Sequence, residues 1–209
     1  MIGELYERAL VERDGAEIEV EDGSGRRSPL PVGDWMSLRP GDAGLLDRCA
    51  GPTLDVGSGP GRLTVALTER GLLALGIDVA PYAVALTVAA GGPALVRDVY
   101  GPVPGAGIWT TVLLADGNIG IGGDPAALLG RVFDLLAPAG GRVLAEVMEP
   151  GTRSRTGRLR LRAGGVVGEW FPWAWVSADD IAGLAAGVGA EVAEIWEESG
   201  RWFASLSRA

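Results

Sequence analysis

Residues 53–64 read TLDVGSGPGRLT: an apolar run through Asp55 and Val56, three glycines at alternate positions (Gly57, Gly59 and Gly61), and a helical pattern from about Arg62. The chemistry on offer here belongs to the main chain. Glycine accepts unusual φ angles and leaves no Cβ in a ligand's way. A helix starting just beyond presents unpaired N–H groups and partial positive charge, which suits an anionic group. The spacing is D-x-G-x-G-x-G, with Ser58 inside the turn. A dinucleotide fingerprint would need its third glycine at the position of Arg62.

Further acids stand where strands should end. Asp78 closes the apolar run Leu72–Asp78. In nucleotide-binding α/β folds an acid at that place accepts hydrogen bonds from both ribose hydroxyls, its two oxygens matching two donors; an N-cap for the helix near Pro81 is the local alternative. Asp98 closes a third run from Ala94. Asp116, Gly117 and Asn118 follow a fourth, Ile108–Ala115. Open α/β sheets bind ligands beyond the carboxyl ends of their strands, so this loop should face a bound ligand. Asn118 could position a ligand oxygen or serve as a left-handed turn residue.

The elements that must hold these residues alternate. Strand Thr53–Val56 is followed by a helix to about Arg70, strand Leu72–Asp78 by a helix over Tyr82–Ala90, and strands Ala94–Asp98 and Ile108–Ala115 by a helix from Pro125 to Leu136. A fifth strand, Arg142–Met148, follows. Alternation of this kind predicts a parallel, doubly wound sheet. Ahead of it stand a short amphipathic helix (4–13), a strand (16–21), a Gly/Pro-rich loop from Asp22 to Pro40, and a helix over Ala43–Ala50 capped by Asp42. After Pro150 come a charged strand, Arg158–Arg162, an aromatic stretch, Glu169–Val176, a helix from Ser177 to about Val188, and a hairpin of Glu191–Glu197 and Arg201–Ser207. This divides the chain into an N-terminal part (1–42) with a lid-like loop and a domain (43–209) carrying an insertion at 151–176.

The glycine run, the acids Asp78 and Asp98, and the loop ADGNIG (115–120) resemble the class I S-adenosylmethionine-dependent methyltransferases, over roughly residues 43–207. The resemblance implies a Rossmann-like α/β fold: a mostly parallel seven-stranded sheet with a C-terminal antiparallel strand. It implies S-adenosyl-L-methionine as cofactor, its methionine carboxylate being the anion met by the turn. The cofactor-binding set is then Asp55, Gly57, Ser58, Gly59, Gly61, Asp78, Val79, Asp98, Val99 and Ala115. Asp55 would meet the methionine amino group, directly or through water, or else bond local N–H groups. Asp98 would accept from the adenine 6-amino group, and the Val99 N–H would reach a ring nitrogen. Asp116 and Asn118 are the catalytic candidates. An Asn/Asp-Pro-Pro-Tyr motif, which would signal methylation of a planar amino group, is missing after the fourth strand. The reading is therefore methyl transfer to an O or N atom of a small molecule. The alternatives are a cofactor-binding protein without catalysis and an NAD-dependent oxidoreductase. Against the latter stand Arg62 and a chain without lysine, hence without a Tyr-x-x-x-Lys pair.

Composition narrows the classes. A chain of 209 residues with 47% hydrophobic residues suits a globular domain with a substantial core. A net charge of −9 argues against a general nucleic-acid surface. With no histidine and the single Cys49, serine–histidine triads, histidine bases and multi-cysteine metal clusters are excluded, and no metal is expected. No membrane-length apolar stretch occurs and the amino terminus is acidic, so no membrane partner and a cytoplasmic location are expected. Any base must come from residues such as Asp116, Glu146, Glu149 or Tyr100. Trp170, Phe171, Trp173 and Trp175 could line an acceptor pocket or pack an extra strand on the sheet edge. Trp35 and Met36 could lid that pocket. Arg153, Arg155, Arg158, Arg160 and Arg162 could attract a carboxylate or phosphate, or guard an edge strand by charge.

Overall fold

A computed structural model describes residues 3–12 and 18–209. The ends of the expected first helix and the start of the first strand, at 13 and 16–17, lie outside the described residues.

Seven strands form the main sheet: β3 (Thr53–Val56), β4 (Ala74–Asp78), β5 (Ala94–Val96), β6 (Thr111–Leu114), β7 (Arg142–Val147), β11 (Ala190–Glu198) and β12 (Arg201–Arg208). Their order is β11-β12-β7-β6-β3-β4-β5. Neighbours from β7 to β5 pair in parallel, and β12 runs antiparallel between β7 and β11. This is the mostly parallel, doubly wound sheet that the resemblance implied. Every residue of β3 and β6 is buried, as parallel strands covered on both faces require.

Helices α3 (Arg62–Glu69), α4 (Pro81–Ala89) and α5 (Pro125–Leu135) make the crossovers, and α2 (Asp42–Asp47) and α6 (Ile181–Gly187) complete the layers. Two apolar clusters lie on opposite faces of the sheet: one joins Leu54, Val112 and Val143 to α5 and α6, the other joins Leu113, Leu144 and Phe203 to α2 and α3.

A second sheet stands beyond the first. It joins β1 (Ile18–Asp22), β2 (Arg27–Pro29), β8 (Arg155–Ala163), β9 (Val166–Val167) and β10 (Phe171–Trp175), all antiparallel, in the order β10-β8-β1-β2 with β9 on β8. Two expectations are corrected here. The loop from Asp22 to Pro40 contains β2 and a 3-10 turn at Val32–Trp35. The arginine strand β8 is internal, not an edge. Its charge is matched by β1: Glu21 accepts Arg160 at 2.9 Å and Arg162 at 2.7 Å, across 139 and 141 residues of sequence. Such a partner is invisible to local pattern.

Helix α1 (Gly3–Glu12) lies against α4 and β8 through Leu5, Ala9 and Leu10, which cluster with Ala80, Ala83 and Leu161. Glu7 Oε1 accepts the N–H of Tyr82 at 3.1 Å, filling one of the unpaired donors at the start of α4.

The turn between β3 and α3 depends on Gly61. Its φ is +89°, and an added Cβ would overlap the side chain of Thr87 in α4. Gly61→Ala is expected to destabilise the protein by about 2–4 kcal/mol, combining left-handed strain with overpacking. Urea unfolding of the two proteins at equal m-value measures it.

Candidate active site

The glycine turn hangs from β4. The N–H groups of Gly57 and Ser58 donate to the Ile77 carbonyl, and the Gly59 N–H donates to Asp78 Oδ2 at 2.9 Å. Asp78 Oδ1 accepts the Ala80 N–H at 2.8 Å. Both carboxylate oxygens of Asp78 thus accept from the backbone, with the Val79 N–H also favouring the charged form, and part of the carboxylate's four-lone-pair capacity remains. Burial raises the Asp78 pKa above the ordinary carboxylate range, against the opposing bonds from Ala80 and Gly59. Beside it Val79 is exposed. The turn is bare where it faces Tyr6: a Cβ on Gly59 would meet only the Tyr6 hydroxyl, at 3.2 Å.

Asp55 is placed differently from its two companions. It is 2% exposed, and its Oδ2 accepts the Thr64 hydroxyl at 2.7 Å. The carboxylate thus ties β3 to the first turns of α3. Burial pushes its pKa up to about 6, with the Thr64 bond opposing. Ser58 also turns inward, because a Cβ on Gly76 would meet its Oγ at 2.7 Å. Asp98 is exposed beyond β5 and accepts the Tyr100 N–H. Arg131 of α5 holds that loop by donating to the carbonyls of Val99 and Gly101, at 2.8 and 2.7 Å.

After β6 and the buried Ala115, the chain passes through two left-handed residues, Asp116 (φ 54°) and Gly117 (φ 77°). Left-handed φ at a residue with a side chain is held only by its surroundings, and here three arginines hold it. Arg62 donates to Asp116 through Nη1 at 2.5 Å and Nη2 at 3.0 Å, Arg39 Nη2 at 2.9 Å and Arg201 Nη2 at 3.5 Å. The Asp116 N–H donates to Glu146 Oε2 at 2.6 Å. Asn118 points back to the glycine turn, donating from Nδ2 to the carbonyls of Val56 and Gly57 at 2.9 and 3.0 Å. Gly57 admits this approach: a Cβ there would stand 2.7 Å from Asn118 Nδ2.

The same arginines reach two more acids. Arg62 donates to Asp42 from Nε (2.8 Å) and Nη2 (3.1 Å), and Arg201 donates to Asp42 from Nη1 (2.7 Å) and to Glu146 from Nε (3.0 Å) and Nη2 (2.7 Å). Asp42 was expected as a helix cap. It is instead the first residue of α2, 1% exposed, with a carboxylate given to this network. Burial opposes its ionisation, but the bonds from Arg62, Arg201 and the Arg39 amide outweigh it and hold the carboxyl below its ordinary range. For Arg62 and Arg201, burial disfavours the cation, and the acidic partners outweigh it to raise both pKa values.

Beyond the ends of β6 and β7 a cavity of about 300 Å³ opens. Asp116, Glu146 and Met148 line its floor, Trp173 and Trp175 of β10 one wall, and Trp35 and Arg39 of the preceding loop another. Asp116 thus borders the cavity, whereas the Asn118 amide belongs to the cradle. Trp170 is not part of the cavity lining and packs instead with Arg158 and Arg160, whose guanidinium carbons lie 4.6 and 4.4 Å from its ring centroid. Tyr6, Arg39, Arg62 and Arg201 were missed as site residues. For Tyr6 the amphipathic pattern of α1 was the only signal. Its phenol pKa is raised, first by burial and then by the carboxylates of Asp78 and Asp116.

No family model matches the chain, and no curated protein resembles it in sequence. Solved structures do resemble it. An S-adenosylmethionine-dependent methyltransferase from Bacteroides fragilis, in complex with S-adenosyl-L-homocysteine, aligns with a TM-score of 0.82 at 22% identity, over 98% of this chain and 94% of that one. The 1,6-didemethyltoxoflavin-N1-methyltransferase of Burkholderia thailandensis aligns at 0.57 and 18% identity, over 79% and 74% of the two chains. A sugar N-methyltransferase from a Streptoalloteichus species aligns at 0.56 and 18% identity, over 78% and 82%. The fold of this chain is the fold of those proteins.

Two predictions follow from the charges. Arg62→Met leaves Asp42 and Asp116 short of a partner and is expected to destabilise by about 3 kcal/mol, since loss of one member of a buried pair strands the other; denaturant titration reads it. Asp55 has its folded pKa raised above the ordinary value of 3.8, to about 6. Its proton therefore favours the folded state fully below pH 3.8, and that contribution is lost as pH rises through 6. Asp55→Asn removes the titration, so its stability relative to the wild type should rise between pH 4 and pH 6 and level off above. Paired thermal melts across that range check it.

Proposed function

We propose that the protein transfers a methyl group from S-adenosyl-L-methionine to a small-molecule acceptor. The observation that carries this reading is the bare glycine turn whose Gly59 amide is clasped by Asp78 at the end of the next strand. The fold likeness to S-adenosylmethionine-dependent methyltransferases supports it over nearly the whole chain.

The residues fit the cofactor. Asp78 keeps lone pairs for the two ribose hydroxyls, exposed Val79 offers an apolar surface beside it, and exposed Asp98 has an oxygen for the adenine amino group. Asp55, with its Thr64 bond, shapes the turn from below. When bound, the cofactor supplies a methyl group on a sulfonium, whose departure leaves a neutral thioether. Chain chemistry is then mostly placement: holding the acceptor in line and excluding water. Tyr6 and α1 cover the cradle, while Trp35, Trp173 and Trp175 wall the adjoining cavity. Asp116 orients through its fixed carboxylate, and Asn118 fixes the turn. With both acids of the cavity engaged by arginines, an acceptor already ionised at neutral pH suits the site better than one that needs a strong base.

A small-molecule acceptor goes with the net charge of −9. No helix among the described residues is long and apolar enough to cross a membrane; a cytoplasmic location is part of this proposal.

Isothermal titration should give micromolar affinity for S-adenosylmethionine and no binding of NAD. Asp78→Ala should weaken the former by about 1–3 kcal/mol through lost charge-assisted hydrogen bonds. Equal affinity of variant and wild type would refute the assignment of the ribose site.

A further inference from the structure

Charges of both signs border the cavity, but their hydrogen-bonding capacity is unequally spent. Asp116 accepts from Arg39, Arg62 and Arg201, and Glu146 accepts from Arg201 and from the Asp116 amide. Most of the acceptor capacity of these two carboxylates is already given to guanidinium and amide donors, and their charge is matched by the arginines. Arg201 uses Nε, Nη1 and Nη2 on Glu146, Asp42, Asp116 and the Pro40 carbonyl.

Arg39 is different. Its Nη1 donates to Asp34, whose side chain is 57% exposed, and its Nη2 donates to Asp116. Its Nε is buried and has no hydrogen-bond partner. That atom is closed off from the cavity by protein, so the donors Arg39 can offer there are on its two NH2 groups: each of these has two hydrogens, and one on each is spent, on Asp34 and on Asp116, with Glu146 Oε1 a further 3.7 Å from Nη2. Arg39 lines the cavity with its side chain a quarter exposed. Outside the lining, the exposed Arg155 stacks over the ring of Trp175 at 4.2 Å, with its Nη1 3.8 Å from the Met148 sulfur. Trp35, Trp173 and Trp175 line the same cavity as Arg39.

We propose that Arg39 is the specificity-determining residue of the acceptor site, and that the acceptor is a planar one- or two-ring acid whose carboxylate receives the free Arg39 donors while its ring lies against the tryptophans. This rests on the methyl-transfer reading for the word acceptor; the anion site itself does not. A cavity of about 300 Å³ matches a compound of that size. A carboxylate suits an arginine better than a neutral oxygen because charge-assisted bonds are about twice as strong. The aromatic plane is what three indoles can grip without any further polar partner.

The test uses the full chain and three matched pairs: benzoate and benzamide, 2-hydroxybenzoate and 2-hydroxybenzamide, indole-2-carboxylate and its amide. Binding is read by quenching of tryptophan fluorescence and by calorimetry, with and without S-adenosylhomocysteine. At least one acid should bind about tenfold more tightly than its amide. Arg39→Gln should abolish that preference and Arg39→Lys should restore part of it, with a wild-type-like circular dichroism spectrum and thermal melt for each variant showing that the fold persists. The proposal is overturned if no acid is preferred to its amide, or if the preference survives in Arg39→Gln. Failure of S-adenosylhomocysteine to bind would sink the methyl-transfer reading instead, and the acid–amide comparison made without it would still decide the role of Arg39.

Discussion

Six alternating charges hold the site together. Asp42, Asp116 and Glu146 interleave with Arg39, Arg62 and Arg201, and these residues come from α2, the loop after β6, β7, the N-terminal loop, the start of α3 and β12. Removing charges from water is costly, and a buried pair often contributes little to net stability. What such a network supplies is geometry. Each guanidinium is planar with donors in fixed directions, so the position of Asp116 is set from three sides at once. That constraint keeps a left-handed aspartate in place where the glycine turn meets the cavity.

The cradle and the cavity are built by different means. The cradle is local: strand, turn and helix follow one another within residues 53–64, and its remaining partners are Asp78, one strand on, and Asn118. The cavity is non-local. Its wall, β10, belongs to a sheet whose middle strands, β8 and β1, come from distant parts of the chain and are locked by Glu21 against Arg160 and Arg162. Helix α1 and the loop bearing Trp35 and Arg39 belong to the same layer, packed by Leu5, Leu10 and Ile18 against α4.

This difference explains what could be read from the residues alone. Alternating apolar runs and Gly/Pro punctuation located the strands and helices of the main sheet, and the glycine spacing located the turn. Asp42 looked like a cap because a cap and a buried ion-pair partner have the same local signature, an acid at a helix start. Arg62 stood out as a missing glycine, and nothing near it in sequence announced Asp116 or Glu146 as its neighbours. The strand Arg158–Arg162 looked like an edge for the same reason: its compensating Glu21 lies 139 residues away from Arg160. Asp55, an acid at a strand end like Asp78, has its carboxylate under the turn with Thr64, a distinction that depends on side-chain direction and not on spacing.

The layer over the cavity also bears on how such a protein could be recombined. Because β1, β2 and the Arg39 loop precede the glycine-turn half in the chain while β8 to β10 follow it, no single crossover point separates the layer over the cavity from the rest. A chimera that imported only the front segment would set Glu21 against foreign strands, and one that imported only the back would leave Arg160 and Arg162 without their acid. Preference for a new compound would have to be inherited from both flanks together, with the central sheet serving as an unchanged insert.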